Sequence, residues 1–175
     1  MCFSAKVSGV SEPSRERVGE VVAAWRRERP DVDVSSMAVL TPLRRLAARV
    51  SENRATVLAE HGVDESQLDV LGTLRRVGSP FRLTAGQLTR RCRVTAGATT
   101  QRVRALERLG FVERVREEPD RRTVHVQLTG DGLDAIDRII GHVMAGDERM
   151  LSALTPHERA TLERALGDWL GRLEP

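Results

Sequence analysis

The chain has 175 residues, 40% hydrophobic and 30% charged, with a formal net charge of +3. That length suits one domain or two merged subdomains and supplies enough apolar side chains for a core. It holds no apolar run long enough to cross a membrane, and no apolar run followed by a small-residue cleavage site, so a cytoplasmic location is expected.

Residues 1–13 have no strong periodicity and read as a flexible tail. A first helix is expected after Pro13, with Val18, Val21, Val22 and Trp25 on its apolar side and Pro30 as its end. A Trp on such a face is usually a core anchor. A second, long helix is expected over 36–60. Met37, Leu40, Leu43, Leu46, Val50, Val57 and Leu58 give much of its stripe, and Pro42 falls in its first turns, where proline is tolerated. Asp64 or Ser66 starts a third helix with Leu68, Leu71, Leu74 and Val77 inward, stopped by Gly78-Ser79-Pro80. Asp69 falls beside those apolar positions. A carboxylate placed there needs a partner or water, because unpaired burial is costly.

Residues 83–128 carry the most specific pattern. A short helix is expected over 85–91, with Thr84 as cap and Gln87 three residues on, the spacing of a capping box. A second follows over 95–109 after a short turn, which is a helix-turn-helix arrangement. With Val103 at the centre of the inner face, Thr99 and Leu106 fall beside it at 100° per residue. Gly97, Gln101, Arg104 and Arg108 fall opposite. That outer face is small at its N-terminal end and basic further on. It can enter a major groove closely, with Gln suited to adenine edges and Arg to guanine or phosphate. The DNA-facing set is therefore Thr95, Gly97, Thr100, Gln101, Arg104 and Arg108.

After Gly110 the period changes from 3.6 to 2. Phe111, Val112 and Val115 lead into one strand, and Val124, Val126 and Leu128 alternate with polar residues in another. Pro119 and Asp120 suit the turn between them. Arg121 and Arg122 follow, so a basic tip can reach the flanking minor groove or phosphates. Residues 82–122 hold eleven arginines against five acids, which focuses the positive charge on this unit.

A long helix is expected over 131–153, with Leu133, Ile136, Ile140 and Val143 at helical spacing and Ile139 and Met144 widening the face. Thr155, Pro156 and Glu158 then start a last helix bearing Leu162, Leu166, Trp169, Leu170 and Leu173. Residues 129–175 hold five basic against nine acidic residues, so this arm is not expected on DNA. The first, second and last two helices carry more apolar surface than a small winged unit covers. A helical dimer interface follows, and two-fold symmetry fits a palindromic site read in successive major grooves.

The two cysteines, Cys2 and Cys92, form no disulfide framework, and the four histidines have no metal-ligand spacing. Cys92 sits in the turn beside Arg91 and Arg93. It reads either as a thiol with a lowered pKa or, more commonly, as a small residue filling a tight turn.

LDVLGTLRRVGSPFRLTAGQL, TAGATTQRVRALERLGFVER and PDRRTVHVQLTGDG closely resemble the MarR family of bacterial winged helix-turn-helix regulators, over about residues 21–173. The resemblance implies a homodimer on operator DNA, repressing neighbouring genes and released by a small molecule or by cysteine oxidation. It places the reading helix at 95–109 and the wing at 116–123. Asp120 then braces the wing by pairing with an arginine, and Arg121 or Arg122 enters the minor groove. WRRERPDVDVSSM joined to QLDVL resembles the subgroup that responds to urate or related small anions. Its ligand residues fall on Trp25, Asp69, Arg102 and Arg114. An anion on Arg102 or Arg114 would disturb a link to Asp69 and shift the reading helix; Arg102 lies about 100° from Val103, at the edge of the buried side. The oxidation-sensing branch fits poorly, since the chain has no Tyr and its first helix no Cys.

The expected fold is mainly α with a small β-hairpin wing: a winged helix-turn-helix between N- and C-terminal helical dimerisation regions. The expected division is 1–13 tail, 14–62 N-terminal helices with dimerisation and ligand roles, 63–128 DNA-binding domain and 129–175 C-terminal dimerisation helices. The expected function is a homodimeric, sequence-specific DNA-binding repressor released by a small anionic or aromatic ligand. The alternative is a winged-helix adaptor or architectural DNA-binding protein without ligand response. No GxSxG, GxGxxG, HExxH or P-loop motif is present, and no enzyme, metal or cofactor is expected.

Overall fold

The computed structural model describes residues 14–116 and 123–173. In chain order the elements are α1 (Ser14–Glu28), α2 (Met37–Glu60), α3 (Glu65–Arg76), β1 (Arg82–Thr84), α4 (Ala85–Arg91), α5 (Ala96–Arg108), β2 (Val112–Arg116), β3 (Val124–Leu128), α6 (Gly130–Leu151) and α7 (Pro156–Leu173). The expected tail, the wing tip with Asp120, Arg121 and Arg122, and Cys2 lie outside the described residues. The chain falls into two compact units that divide between Ser51 and Glu52, inside α2.

In the first unit, Val18 and Val22 of α1 pack with Val34 and Met37 in a small apolar cluster. Trp25 is not the core anchor its position suggests. It is 48% exposed, with Val21 also open beside it. The valines lie at i and i+4, and one narrow stripe is all that this cluster covers.

The second unit holds the main core. Val70, Leu71 and Leu74 of α3, Leu88 of α4, Val103 and Leu106 of α5 and Ile136 of α6 are almost fully buried together. These are the positions at helical spacing, so one face of each helix closes over the same centre. Val57 and Leu58, near the end of α2, join Val63, Ala135, Ile139 and Val143 in a second cluster. There the rings of His61 and His142 also meet, Nε2 to Nδ1 at 2.8 Å, tying the end of α2 to α6.

Three strands, not two, make the sheet. Their order is β1-β3-β2, all antiparallel, with Leu83 and Arg114 both opposite Val126. A three-residue strand is too short to show alternation in the sequence. It forms because Leu83 is buried and the β3 edge offers it a ladder.

Side-chain caps fix the helix starts. Asp64 with Gln67 and Thr84 with Gln87 each form a reciprocal capping box at the start of α3 and α4. Thr155 and Glu158 make the same exchange at α7. Thr129 caps α6 by accepting from the Gly132 N–H at 3.0 Å, while its hydroxyl donates to the Gly110 carbonyl at 2.7 Å. Gly110 has φ +74°, the left-handed turn needed after α5. No residue of α7 is buried, and Leu162, Leu166, Trp169, Leu170 and Leu173 stand exposed along it.

Candidate nucleic-acid interface

α5 separates two chemistries. Thr99, Val103 and Leu106 are buried, while Thr95, Gly97, Thr100, Gln101, Arg104 and Arg108 are all exposed. Gly97, Thr100, Gln101, Arg104 and Arg108 line one open surface along the helix. A Cβ at Gly97 would meet nothing within 4 Å. Glycine there is not required by packing; it keeps the helix face low.

The threonines are largely used inside the protein. Thr95 caps α5, its hydroxyl accepting from the Ala98 N–H at 3.2 Å. Thr100 donates to the Ala96 carbonyl at 2.9 Å. Thr99 donates to the Thr95 carbonyl, and its oxygen lies 2.8 Å from the Thr89 hydroxyl of α4. That part-buried contact joins α4 to α5, the two helices of the motif. Between them Arg93 adopts φ +52°, which closes the turn.

Cys92 ends α4, and its Sγ–H donates to Thr73 Oγ1 at 3.6 Å. Burial pushes its thiol up, and the nearby Asp69 charge adds to this, against the opposing effects of Thr73 and Arg102. The two neighbouring arginines in sequence do not produce a lowered pKa. Cys92 is a half-buried packing residue of the turn.

Three of the four candidate ligand residues lie in the second unit. Arg102 Nη1 donates to Asp69 Oδ2 at 3.3 Å, joining α5 to α3, so Asp69 has the partner its position demands. Arg114 turns instead to Glu107, with Nε–Oε1 at 2.8 Å. Trp25 belongs to the first unit, where it lines a shallow apolar surface with Val21 and Ala24. Sequence reasoning missed the polar residues below Asp69 on α3. Thr73 is 3% exposed and accepts from both Cys92 and Arg76. A Thr at i+4 from an Asp on an apolar face was the available signal.

Residues 61–123 match the MarR family. The chain is 31% identical over 150 residues to the HTH-type transcriptional regulator PecS of Dickeya dadantii, covering 86% of this chain and 90% of PecS. It is 28% identical to the HTH-type transcriptional repressor MdtR of Bacillus subtilis, covering 66% of this chain and 73% of MdtR. Wild-type apo MarR from E. coli superposes with a TM-score of 0.62 at 25% identity, covering 75% of this chain and 96% of MarR. The chain belongs to the MarR family of winged helix-turn-helix transcriptional regulators. Among the described residues, no helix is long and apolar enough to cross a membrane.

Proposed function

We propose that the chain is a homodimeric repressor that binds a palindromic operator and is released by a small molecule. The division of α5 carries this reading: a packed inner face and an exposed outer face that is small, then amide, then basic. Gly97 and the α5 N-terminus would approach the groove. Gln101 and Arg104 would read base edges, and Arg108 would hold phosphate. Thr95 and Thr100 would add polar contacts at the groove edge. Arg121 and Arg122, braced by Asp120, would serve the wing.

Dimerisation is supported by α7, whose five large apolar side chains find no cover. Such a patch on a small protein marks an interaction surface. We assign residues 129–175 and the N-terminal helices to the dimer, and 63–128 to DNA. Release by a small molecule is supported by the Asp69–Arg102 pair, which links α3 to the reading helix. A ligand that prefers the arrangement without that link would shift the population away from the DNA-binding form.

Capture of genomic DNA by the purified protein tests this. Enrichment of one palindromic site, with affinity falling steeply as salt rises, is expected. Uniform binding to all sequences, or none, would overturn it and favour an architectural or adaptor role.

A further inference from the structure

The reading helix carries a single acid. The charged residues of α5 are Arg102, Arg104, Glu107 and Arg108. Glu107 lines the same open surface as Gln101, Arg104 and Arg108. A carboxylate facing DNA is repelled by phosphate, which weakens binding to every sequence alike. Glu107 also follows Arg104 at i+3, where two helix side chains are close enough to pair. Such a pair would occupy the guanidinium that the groove requires.

The fold gives Glu107 a different partner. Arg114 Nε–H donates to Glu107 Oε1 at 2.8 Å. Arg114 lies in β2, an outer strand of the sheet, directly opposite Val126 of β3. It therefore shares the face of buried Val126, which clusters with Val103 and Leu106 of α5. Both side chains are partly screened from water, Glu107 28% and Arg114 41% exposed. Among the described residues, no ion pair engages Arg104.

We propose that Glu107 is a positioning residue for operator recognition. Through Arg114 it sets β2, the strand that leads into the wing, against the reading helix, and the same contact leaves Arg104 free for the groove. This deepens the reading of α5 and the wing as the DNA-binding parts, and it rests on that reading. A protein that meets a major groove with a helix and the flanking minor groove with a wing keeps its register only if the two hold one angle. An ion pair this exposed adds little to folding. Its effect is on where β2 points, not on whether the domain folds.

Operator and scrambled-DNA binding, compared for the parent chain, Glu107→Gln, Arg114→Gln and the double variant, tests this, with a hydroxyl-radical footprint of each complex. Glu107→Gln should bind scrambled DNA at least as tightly as the parent, since a repelling charge is gone. Its preference for the operator should nevertheless fall by about threefold to fivefold. Its footprint should weaken at the flanking minor groove and stay in place at the major groove. Arg114→Gln should lose at least as much preference, because the released carboxylate turns to Arg104. The double variant should return to the level of Glu107→Gln instead of multiplying the two losses. An unchanged preference and flanking footprint in Glu107→Gln, or losses that multiply in the double variant, would overturn the proposal.

The pair itself is checked in the free protein. In proton–nitrogen NMR spectra the Arg114 Nε–H signal should be protected from exchange in the parent and lose that protection in Glu107→Gln, with the melting temperature unchanged. An unprotected signal in the parent overturns the assignment without any DNA. A protected signal in a protein that captures no operator sinks the repressor reading and leaves the pair standing.

Discussion

A Cβ added to Gly132 would stand 2.7 Å from the carbonyl carbon of Phe111 and closer still to its oxygen. The first turn of α6 thus lies directly on the backbone that leads into the wing, and Thr129 joins the same carbonyl through its N–H at 3.1 Å. Because the obstructing atoms are backbone, they cannot swing aside. Gly132→Ala should lower stability by roughly 1–3 kcal/mol, the usual cost of overpacking. Gly141, on the same helix, meets nothing within 4 Å. There alanine should gain up to about 1 kcal/mol through helix propensity. Urea unfolding of both variants checks the contrast; equal effects would show that the close approach relaxes freely.

Helix α5 was legible in the sequence because its inner residues repeat at 3.6 and its outer residues differ in kind. The caps at Thr84 and Thr155 were legible because their spacing is local, whereas at α3 the sequence left Asp64 and Ser66 as alternatives and the structure selects Asp64 with Gln67. The Glu107–Arg114 pair was not, since Arg104 stands nearer to Glu107 along the chain and the fold selects Arg114. Arg75 and Arg76 look alike in sequence; only the fold gives one a carboxylate and a ring and leaves the other with a hydroxyl. At Cys92 the turn-filling reading holds and the lowered-pKa alternative does not. Its arginine neighbours are adjacent along the chain, but burial and Asp69, 23 positions away in sequence, set its pKa. Trp25, Leu40, Leu46 and Ile140 are apolar at helical spacing yet exposed. Periodicity identifies a face, not what covers it.

Acid should weaken the cap of α3. Burial pushes the Asp64 carboxyl up, but the Ser66 hydroxyl, the Gln67 and Ser66 N–H groups and the Arg102 charge outweigh it and hold it below its ordinary 3.8. A carboxyl whose pKa is lowered in the folded state adds stability above its unfolded-state value and loses it as pH falls through the folded one. Asp64→Asn keeps the capping oxygen and removes this titration. Its stability should therefore fall less steeply than that of the parent chain below about pH 4. Parallel slopes in thermal melts across that range would count against the assignment.

The Asp69–Arg102 contact is a single, long hydrogen bond, with the Asp69 side chain 41% and Arg102 21% exposed. Its contribution to folding should be small, with a coupling of about 1 kcal/mol or less in a double-mutant cycle. Its expected importance is to the position of α5. Asp69→Asn should therefore change release from the operator by more than it changes the melting temperature. If both stay at their parent values, the pair is a solvated surface contact and nothing more.

The exposed row on α7 predicts assembly. Trp169→Glu places a charge in the middle of Leu162, Leu166, Leu170 and Leu173, where a buried partner would have to desolvate it. Sedimentation at micromolar concentration should show the parent chain as a dimer and the variant largely as monomer. A parent chain that sediments as monomer would remove the symmetric-operator reading altogether.

Arg104 gives the sharpest test of the reading helix, because it is exposed and shares the outer surface with Gly97, Gln101 and Arg108. Removing an exposed side chain without a buried partner should leave stability within about 0.5 kcal/mol. On the operator, Arg104→Ala should cost about 1–3 kcal/mol if the guanidinium grips a base edge. That loss should be confined to the specific site, leaving nonspecific DNA almost unaffected. If Arg104 holds only phosphate, affinity falls on all sequences alike and the salt slope drops by about one unit. Gel-shift titrations on operator and scrambled DNA, at two or three salt concentrations, separate the cases. An Arg104→Ala protein that binds both as the parent does would place the reading face elsewhere on α5.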